Sequence, residues 1–274
     1  MTPYGTTNSS APNGNGATPR ERERDEALLP HAAKIPRWRK WLTADVDRKR
    51  GDLILLLCYV ITGLLDSQSI STWNSFVSMQ TGNTVYLGLG VVHPHESTRW
   101  IKSGVSVASF CVGSFIFSRF HRFFSPKRRW VLCASFAVQM LITIVAALAV
   151  TLGPEPSAEE IKWSDLLPIA LVSFQSCGQA VTSRALKFNS LTSVVLTSIY
   201  CDLFSDAELF SLRNSERNRR LAAPLLLLIG ALFGGLYRHL DIGIVGALWT
   251  AAILKCFIVL SWLIWPADPS SFDD

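Results

Sequence analysis

The sequence predicts an all-α fold: a polytopic bundle of membrane helices with two repeats, each of three long spans plus one short or broken helix. Of the 274 residues, 49% are hydrophobic and only 17% are charged, against about 25% charged in an average soluble domain. Several apolar stretches approach the roughly 20 residues that a helix needs to cross a bilayer. The stretches are continuous rather than alternating, which argues against a transmembrane β-barrel.

The first 50 residues have a different composition from the rest. They hold 10 Lys or Arg and 6 Asp or Glu, and residues 1–34 are rich in Ser, Thr, Asn, Gly and Pro. This composition predicts a disordered cytosolic tail without a signal peptide. The end of the tail is basic and aromatic, with Arg37, Trp38, Arg39, Lys40, Trp41, Arg48, Lys49 and Arg50. That cluster either anchors the chain on anionic lipid or only sets the orientation of the first span.

Eight apolar segments make up a predicted transmembrane domain, 51–265, with repeat one at 52–152 and repeat two at 164–265. We label them A (53–70), B (79–92), C (101–120), D (130–152), A′ (166–183), B′ (191–204), C′ (221–240) and D′ (244–265). Tryptophans at predicted segment ends are typical of interfacial belts. Residues 266–274 are expected to form a short C-terminal tail.

Six of these segments are long enough to span a bilayer, but B and B′ are not. Each has about 14 residues, or about 21 Å as a helix, and each is interrupted by polar residues. Two short, interrupted segments at matching places in two halves are typical of a transporter binding site. Unpaired backbone in such segments must be enclosed by other helices or line a wet cavity.

The distribution of Lys and Arg favours one of two topologies. If B and B′ dip in and return, six segments cross, the halves are inverted, and 17 basic residues lie inside against 4 outside. If all eight cross, the halves are parallel, with 13 inside and 8 outside. The positive-inside rule favours six crossings with a cytosolic N-terminus.

The predicted substrate-binding residues lie at the middle of the membrane, between the halves. They are Asp66, Thr81, Gly82, Asn83, Gln179, Thr197, Asp202 and Lys255. Lys255 is the deepest charge, and a charge at the bilayer centre costs about 2.5–3.5 kcal/mol on insertion scales. We therefore expect Lys255 to form an ion pair with Asp66 or Asp202; the alternative is that it extends to an interface. The polar groups of B and B′ have a simpler alternative role, which is to bond nearby backbone.

Small residues at a spacing of four predict close helix packing. Gly230 and Gly234 have this spacing in C′, as do Ser109 and Gly113 in C. Packing within one chain is the first expectation, and a homo-oligomer is the alternative.

Several other classes of function are excluded by missing patterns. The basic residues flank apolar segments and no nucleic-acid-binding motif is present, so no nucleic acid partner is expected. The sequence lacks the motifs HExxH, GxSxG and GxxxxGK[ST], and the six cysteines have neither CxxC nor zinc spacing. We therefore expect no enzyme activity, no cofactor and no metal site.

The motifs of A and B resemble those of the YoaK-like transmembrane family, a domain-of-unknown-function family. They are the stretch from Gly63 to Asp66, followed by Met79 to Thr84, which contains T-G-N. In the second half the counterparts are Gly178-Gln179-Ala180 and Thr197-Ser198, where Ser198 replaces the usual glycine. The resemblance covers roughly residues 50–265 and implies an integral membrane protein, often regarded as a permease, without a known substrate.

Two functions remain open on the sequence alone. The first is a permease for an unidentified small molecule or ion, with its site between inverted repeats in the lipid bilayer. The second is a membrane accessory or scaffold protein that does not transport. A polar, water-accessible cavity that reaches B and B′ favours the permease, whereas a tightly packed apolar interior favours the scaffold.

Overall fold

The computed structural model describes residues 36–47, 51–188, 191–211 and 213–268. The chain divides into two compact units, Met1–Arg37 and Trp38–Asp274, and of the first unit only Pro36 and Arg37 are described. Residues 1–35 and 48–50 of the predicted tail, 1–50, therefore lie outside the described residues, whereas 36–47 are described and are partly helical. Within those ranges the fold is all-α, as predicted, with no strand and nine helices: α1 Arg37–Thr43, α2 Gly51–Trp73, α3 Gln80–Val92, α4 Arg99–Phe123, α5 Arg129–Leu152, α6 Trp163–Ala185, α7 Thr197–Phe204, α8 Ser215–His239 and α9 Gly243–Ile264.

Side-chain bonds identify the two ends of the bundle. At the basic end, which we define by Arg129 and Arg219, α2 begins beside the start of α8, and Arg219 pairs with Asp52 at 2.6 Å. At the acidic end, defined by Asp165 and Glu159, α2 finishes at the start of α6, where the Trp73 indole donates to Asp165 at 3.2 Å. The six long helices α2, α4, α5, α6, α8 and α9 run between these ends.

Packing pairs each long helix with one from the other half of the chain. Helix α2 packs chiefly on α8, α4 on α6, and α5 on α9. A cluster of buried apolar residues from α2, α5, α6 and α9 fills the centre of the bundle, with Ile61, Phe136, Ile169 and Leu248 each fully enclosed. Large apolar residues on the outer faces of α8 and α9 are exposed, as a helix facing lipid requires.

Five described helices are long and apolar enough to cross a membrane: α2, α4, α5, α8 and α9. The sixth segment predicted to be long enough for a span, A′, corresponds to α6, and its 23 residues bear out that length. Its sequence carries many polar side chains, which are buried against the protein, among them Ser173, Gln175, Gln179 and Thr182.

Arg129 links α1 and the end of α9 at the basic end. Its guanidinium donates to the carbonyl oxygen of Trp41 and, at 2.6 Å, to that of Trp265. The same group lies 4.2 Å from the centre of the Trp41 ring. The Arg129 side chain is 1% exposed. Without it, the two carbonyl oxygens would lose these hydrogen bonds in a region that water reaches poorly.

Replacing Arg129 by glutamine is expected to release α1 from the bundle. Hydrogen bonds from a charged donor are worth about 1.5–3 kcal/mol each. Amide hydrogen exchange over residues 38–47 should therefore become faster while exchange in α5 changes little. The matched control is Arg128→Gln, which removes a neighbouring exposed charge and should leave exchange in this segment unchanged. Equal exchange rates over residues 38–47 in the two variants would contradict the claim that Arg129 holds α1 on the bundle.

Candidate functional site

The segment between α2 and α3 folds back into the protein from the acidic end. Asn74 turns the chain with a φ of 58°, a left-handed conformation that Asn tolerates better than most residues. The next residues run back beside α2. Asp66 accepts the backbone N–H groups of Val77 and Ser78, each at 2.9 Å, and the Ser78 hydroxyl. We call residues 74–79 the first re-entrant leg.

Asn83 holds this leg against α3 and α4. Its side-chain carbonyl accepts the Phe76 N–H at 3.0 Å, while its amide donates to the Phe76 carbonyl at 2.7 Å. The same amide donates to Gln80 Oε1 at 3.0 Å and to Ser106 Oγ at 2.9 Å. Asn83 and Asp66 thus supply bonds that the non-helical backbone of the leg cannot make within itself.

Helix α3 returns to the acidic end, antiparallel to α4. Gly90, near the end of α3, lies directly on Trp100, near the start of α4, where a Cβ would overlap the indole. The outer face of α3 is open, with Leu89 61% and Val92 70% exposed. Other helices therefore do not enclose α3 on all sides, and its start lines a cavity, described below. A helix satisfies its own backbone, so the need for enclosure falls on the non-helical leg.

The second short segment enters from the basic end. Phe188 lies near the start of α2, against the position of Gly51. From there the chain runs inward to Ser193, which has a φ of 54°, and α7 then leads back to the basic end, where Arg220 donates to the Asp202 carbonyl oxygen at 3.4 Å. Ile199 packs in a buried apolar cluster with Leu55, Leu56, Tyr59, Leu191 and Ala223. We call residues 191–196 the second re-entrant leg.

A cavity of about 580 Å³ lies between these two segments. It is bounded by the start of α3, the second half of α4, the end of α6 and the second re-entrant leg. The wall combines polar and apolar groups, with the apolar surface the larger, and is formed by Ser78, Gln80, Thr81, Phe110, Ser114, Ser118, His121, Arg122, Pro126, Ala180, Val181, Arg184, Ala185, Val194 and Val195. The cavity thus carries polar groups and reaches both short segments.

Of the predicted substrate-binding residues, only Thr81 lines this cavity among those the structure describes. Gly82 lies beside it, packed on Phe76, where a Cβ would come within 3.0 Å of the ring. Thr197 is exposed at the start of α7, next to the second leg. Asn83 bonds the first leg, which is the simpler role considered for the polar groups of segment B. Asp66, expected as a partner of Lys255, bonds the same leg.

Lys255 does not form the expected ion pair. Its ammonium group donates to Gln139 Oε1 at 2.9 Å and lies 5.8 Å from the centre of the Phe136 ring. Asp66 is occupied by the first leg, and Asp202 is exposed near the basic end. The pairing fails because α9 packs its middle against α5, which places Gln139 opposite Lys255. Lys255 is fully buried, so extension to an interface is excluded as well.

Gln179 belongs to a buried pair of glutamines one helical turn apart on α6. Gln175 is fully buried and Gln179 is 1% exposed. Neither side-chain amide has a hydrogen-bond partner in the part of the chain that the structure describes. Buried amides without partners are costly, but no described group connects them to the cavity.

Asp202 lies beside a separate charged cluster at the basic end. In that cluster Asp206 pairs with Arg220 at 3.1 Å. The pKa of the Asp206 carboxyl lies below its ordinary value, mainly because it accepts the backbone N–H of Glu208, with further help from Asn214 and Arg220. This stabilisation is present above the ordinary pKa of an aspartate and is lost as the pH falls through the lowered value.

One face of α4 that lines the cavity was not predicted from the sequence. Phe110, Ser114, Ser118 and Arg122 recur every four residues and all line the cavity. A spacing of four puts side chains on one helix face, so this signal was present in segment C. The pattern was not recognised because Arg122 and Arg184 were used only to predict which loops face the cytosol.

Comparison with known families gives one match. A family described as "Protein of unknown function (DUF1275)" matches residues 54–261, and it is the family that the Gly63–Asp66 and T-G-N motifs indicated. Neither the curated proteins nor the solved structures gave a match. The matched range begins in α2 and ends in α9, and thus contains both short segments and the cavity. The chain therefore belongs to the DUF1275 family, the YoaK-like family, and is an integral membrane protein.

Proposed function

We propose that this protein is a permease for a small solute, with the cavity between the two re-entrant segments as its binding site. The observation that carries the proposal is that one cavity with polar groups in its wall is bounded by Ser78, Gln80 and Thr81 around the start of α3 and by Val194 and Val195 of the second leg. Short, interrupted segments that enter from opposite ends and line one site are typical of transporters. A scaffold has no need of such a cavity.

The proposal includes two inverted repeats, with α2–α5 as one and α6–α9 as the other. Equivalent helices make equivalent contacts. On α4, a Cβ at Gly113 would lie 2.6 Å from the Phe174 carbonyl of α6. On α8, a Cβ at Gly230 would overlap the Val60 carbonyl of α2. The close glycine contact of α4 on α6 thus has its counterpart in α8 on α2, which supports an approximate two-fold relation.

We further propose that the basic end faces the cytosol. The ends of α4 and α6 and the starts of α5 and α8 carry most of the Lys and Arg residues outside the tail. The loop at the acidic end carries Glu155, Glu159 and Glu160 instead. The positive-inside rule then places the N-terminal tail in the cytosol, and the mouth of the cavity at Arg122 and Arg184 opens to the same side.

Transport by alternating access predicts that the floor of the cavity is reached by water from both sides of the membrane. In a cysteine-free background, Thr81→Cys should react with a membrane-impermeant thiol reagent added to either side of sealed vesicles. The exchange of conformations exposes the site to each side in turn. The matched control is Val85→Cys, on the outer, 57% exposed apolar face of α3, which should not react from either side.

The outcome separates the two functions. Reaction of Thr81→Cys from the basic side alone would indicate a fixed pocket and contradict the permease in favour of a scaffold. If Thr81→Cys reacts from neither side, the cavity is not filled with water and the proposal is contradicted.

A further inference from the structure

The last two turns of α4 carry two cations without counterions. Arg119 and Arg122 are exposed and lie three residues apart, on one helix face. Neither side chain has an ion-pair partner among the residues that the structure describes. By contrast, Arg219 at the same end of the bundle pairs with Asp52 at 2.6 Å. From residue 97 to residue 154 the sequence contains no Asp or Glu, so neither α4 nor α5 supplies a counterion.

An exposed apolar stripe precedes these arginines on the same face of α4. Val112, Phe115 and Ile116 are 54%, 62% and 48% exposed. They lie seven, four and three residues before Arg119, which is the spacing of one helix face. The Arg119 guanidinium lies 5.1 Å from the centre of the Phe115 ring. In a bilayer such a stripe contacts acyl chains, while arginines at the helix end reach the level of the headgroups.

A shallow groove of about 510 Å³ lies at this end of α4, lined by Arg119, Phe120, Arg122 and Phe123. Phe123 is 83% exposed, and aromatic rings at a helix end are typical of the membrane interface. Phe120 and Phe124 pack on Trp130 of α5, with ring centres 6.1 and 4.8 Å apart. These ring contacts hold the end of α4 on the start of α5, so the groove has a fixed backbone.

We propose that this groove binds the headgroup of an anionic phospholipid, with its phosphate between Arg119 and Arg122 and its acyl chains along Val112 and Ile116. Guanidinium groups bind phosphate oxygens through paired hydrogen bonds. Two cations without counterions favour a lipid of net negative charge over phosphatidylcholine, whose choline group adds a positive charge. A soluble anion would leave the apolar stripe uncovered.

This lipid site goes beyond the permease and is compatible with either candidate function. The groove lies on the outer surface of α4, and among its lining residues only Arg122 also borders the cavity. A bound lipid would therefore lie beside the mouth of the cavity without entering it.

The test measures which lipid lies beside the groove, with the full chain in nanodiscs. In a cysteine-free background, Ser125→Cys, at an exposed position two residues after Phe123, carries a bimane fluorophore. The nanodiscs are phosphatidylcholine, in which about one lipid in ten is phosphatidylglycerol or phosphatidylcholine with a nitroxide quencher near the headgroup end of an acyl chain. We expect an association constant for phosphatidylglycerol about ten-fold or more above that for phosphatidylcholine, because each arginine near the headgroups favours an anionic lipid by about five-fold.

Variants identify the groups responsible. Arg119→Gln combined with Arg122→Gln should bring the two association constants to within about two-fold of each other. Arg119→Lys combined with Arg122→Lys keeps both charges and should keep most of the preference. The matched control is Arg128→Gln combined with Lys187→Gln, which removes two exposed cations from the same end of the bundle but outside this groove. The control should keep the parent's preference, and an unchanged thermal unfolding midpoint in all variants excludes misfolding.

Three results would overturn the proposal. Equal quenching by the two lipids in the parent would show that the groove does not select an anionic lipid. An equal loss of preference in the control would show that the lipid responds only to the overall charge of the basic end. Cross-linking of two chains through Ser125→Cys, without a lipid preference, would assign the groove to a second copy of the chain.

Discussion

Replacing Gly230 by alanine is expected to destabilise the protein strongly. A Cβ at this position would overlap the Val60 carbonyl oxygen and lie 3.0 Å from the Leu64 nitrogen. Both are backbone atoms of α2, so no side chain can move aside, and α2 must separate from α8. Overpacking typically costs about 1–3 kcal/mol, and a collision with backbone atoms puts this change at about 3 kcal/mol, the upper end. For a domain of this size the midpoint of thermal unfolding should fall by about 6–12 °C.

Gly235→Ala is the matched control in the same helix. A Cβ there would meet no atom within 4 Å, and alanine favours the helix by about 1 kcal/mol over glycine. Its unfolding midpoint should be unchanged or slightly higher. An equal fall in the two variants, measured by intrinsic tryptophan fluorescence in one detergent, would show that close packing of α2 on α8 is not the cause.

Replacing Asn83 by leucine is expected to release the first re-entrant leg. The leucine keeps the volume but removes the bonds to the Phe76 N–H, the Phe76 carbonyl and Gln80. Each buried polar group left without a partner costs about 1–3 kcal/mol, so the loss should be about 3 kcal/mol or more. The measurement is thermal unfolding, together with faster hydrogen exchange at Val77 and Ser78.

Thr84→Val, one residue further along α3, is the control for this change. Thr84 is exposed, and its hydroxyl donates only to the Gln80 carbonyl of its own helix, at 2.9 Å. Its unfolding midpoint should remain within about 1 °C of the parent, since such surface changes are usually below 0.5 kcal/mol. If Asn83→Leu were as mild, the leg would be held by its other contacts and its bonds to Asn83 would be dispensable.

The helices themselves follow from local patterns in the sequence. Segment B was predicted at 79–92 and α3 is Gln80–Val92; segment D′ was predicted at 244–265 and α9 is Gly243–Ile264. Segment B′, predicted at 191–204, is helical only at Thr197–Phe204. Its first part is not helical, and apolar residues such as Leu191 give no periodic signal that separates a non-helical leg from a helix.

The partners of polar side chains depended on tertiary packing and were harder to predict. The charge of Lys255 suggested a carboxylate, but the contact of α9 with α5 places Gln139 there instead. Gln179 was predicted to bind substrate, but Gln175 and Gln179 of α6 are both buried within the bundle and neither lines the cavity. The sequence predicts how deep in the membrane a side chain lies, because depth follows from its position along a helix. It does not predict which residue the side chain contacts, because that depends on which helices pack together.

The sidedness of two loops tests the central claim, that the short segments re-enter instead of crossing. In a cysteine-free background with an epitope on the N-terminal tail, single cysteines at Ser97 and Ser125 are labelled with an impermeant reagent in sealed vesicles. Re-entry predicts that Ser125 lies on the same side as the tail and Ser97 on the opposite side. Labelling of Ser97 on the side of the tail, with Ser125 opposite, would mean that α3 crosses the membrane, and would contradict the account.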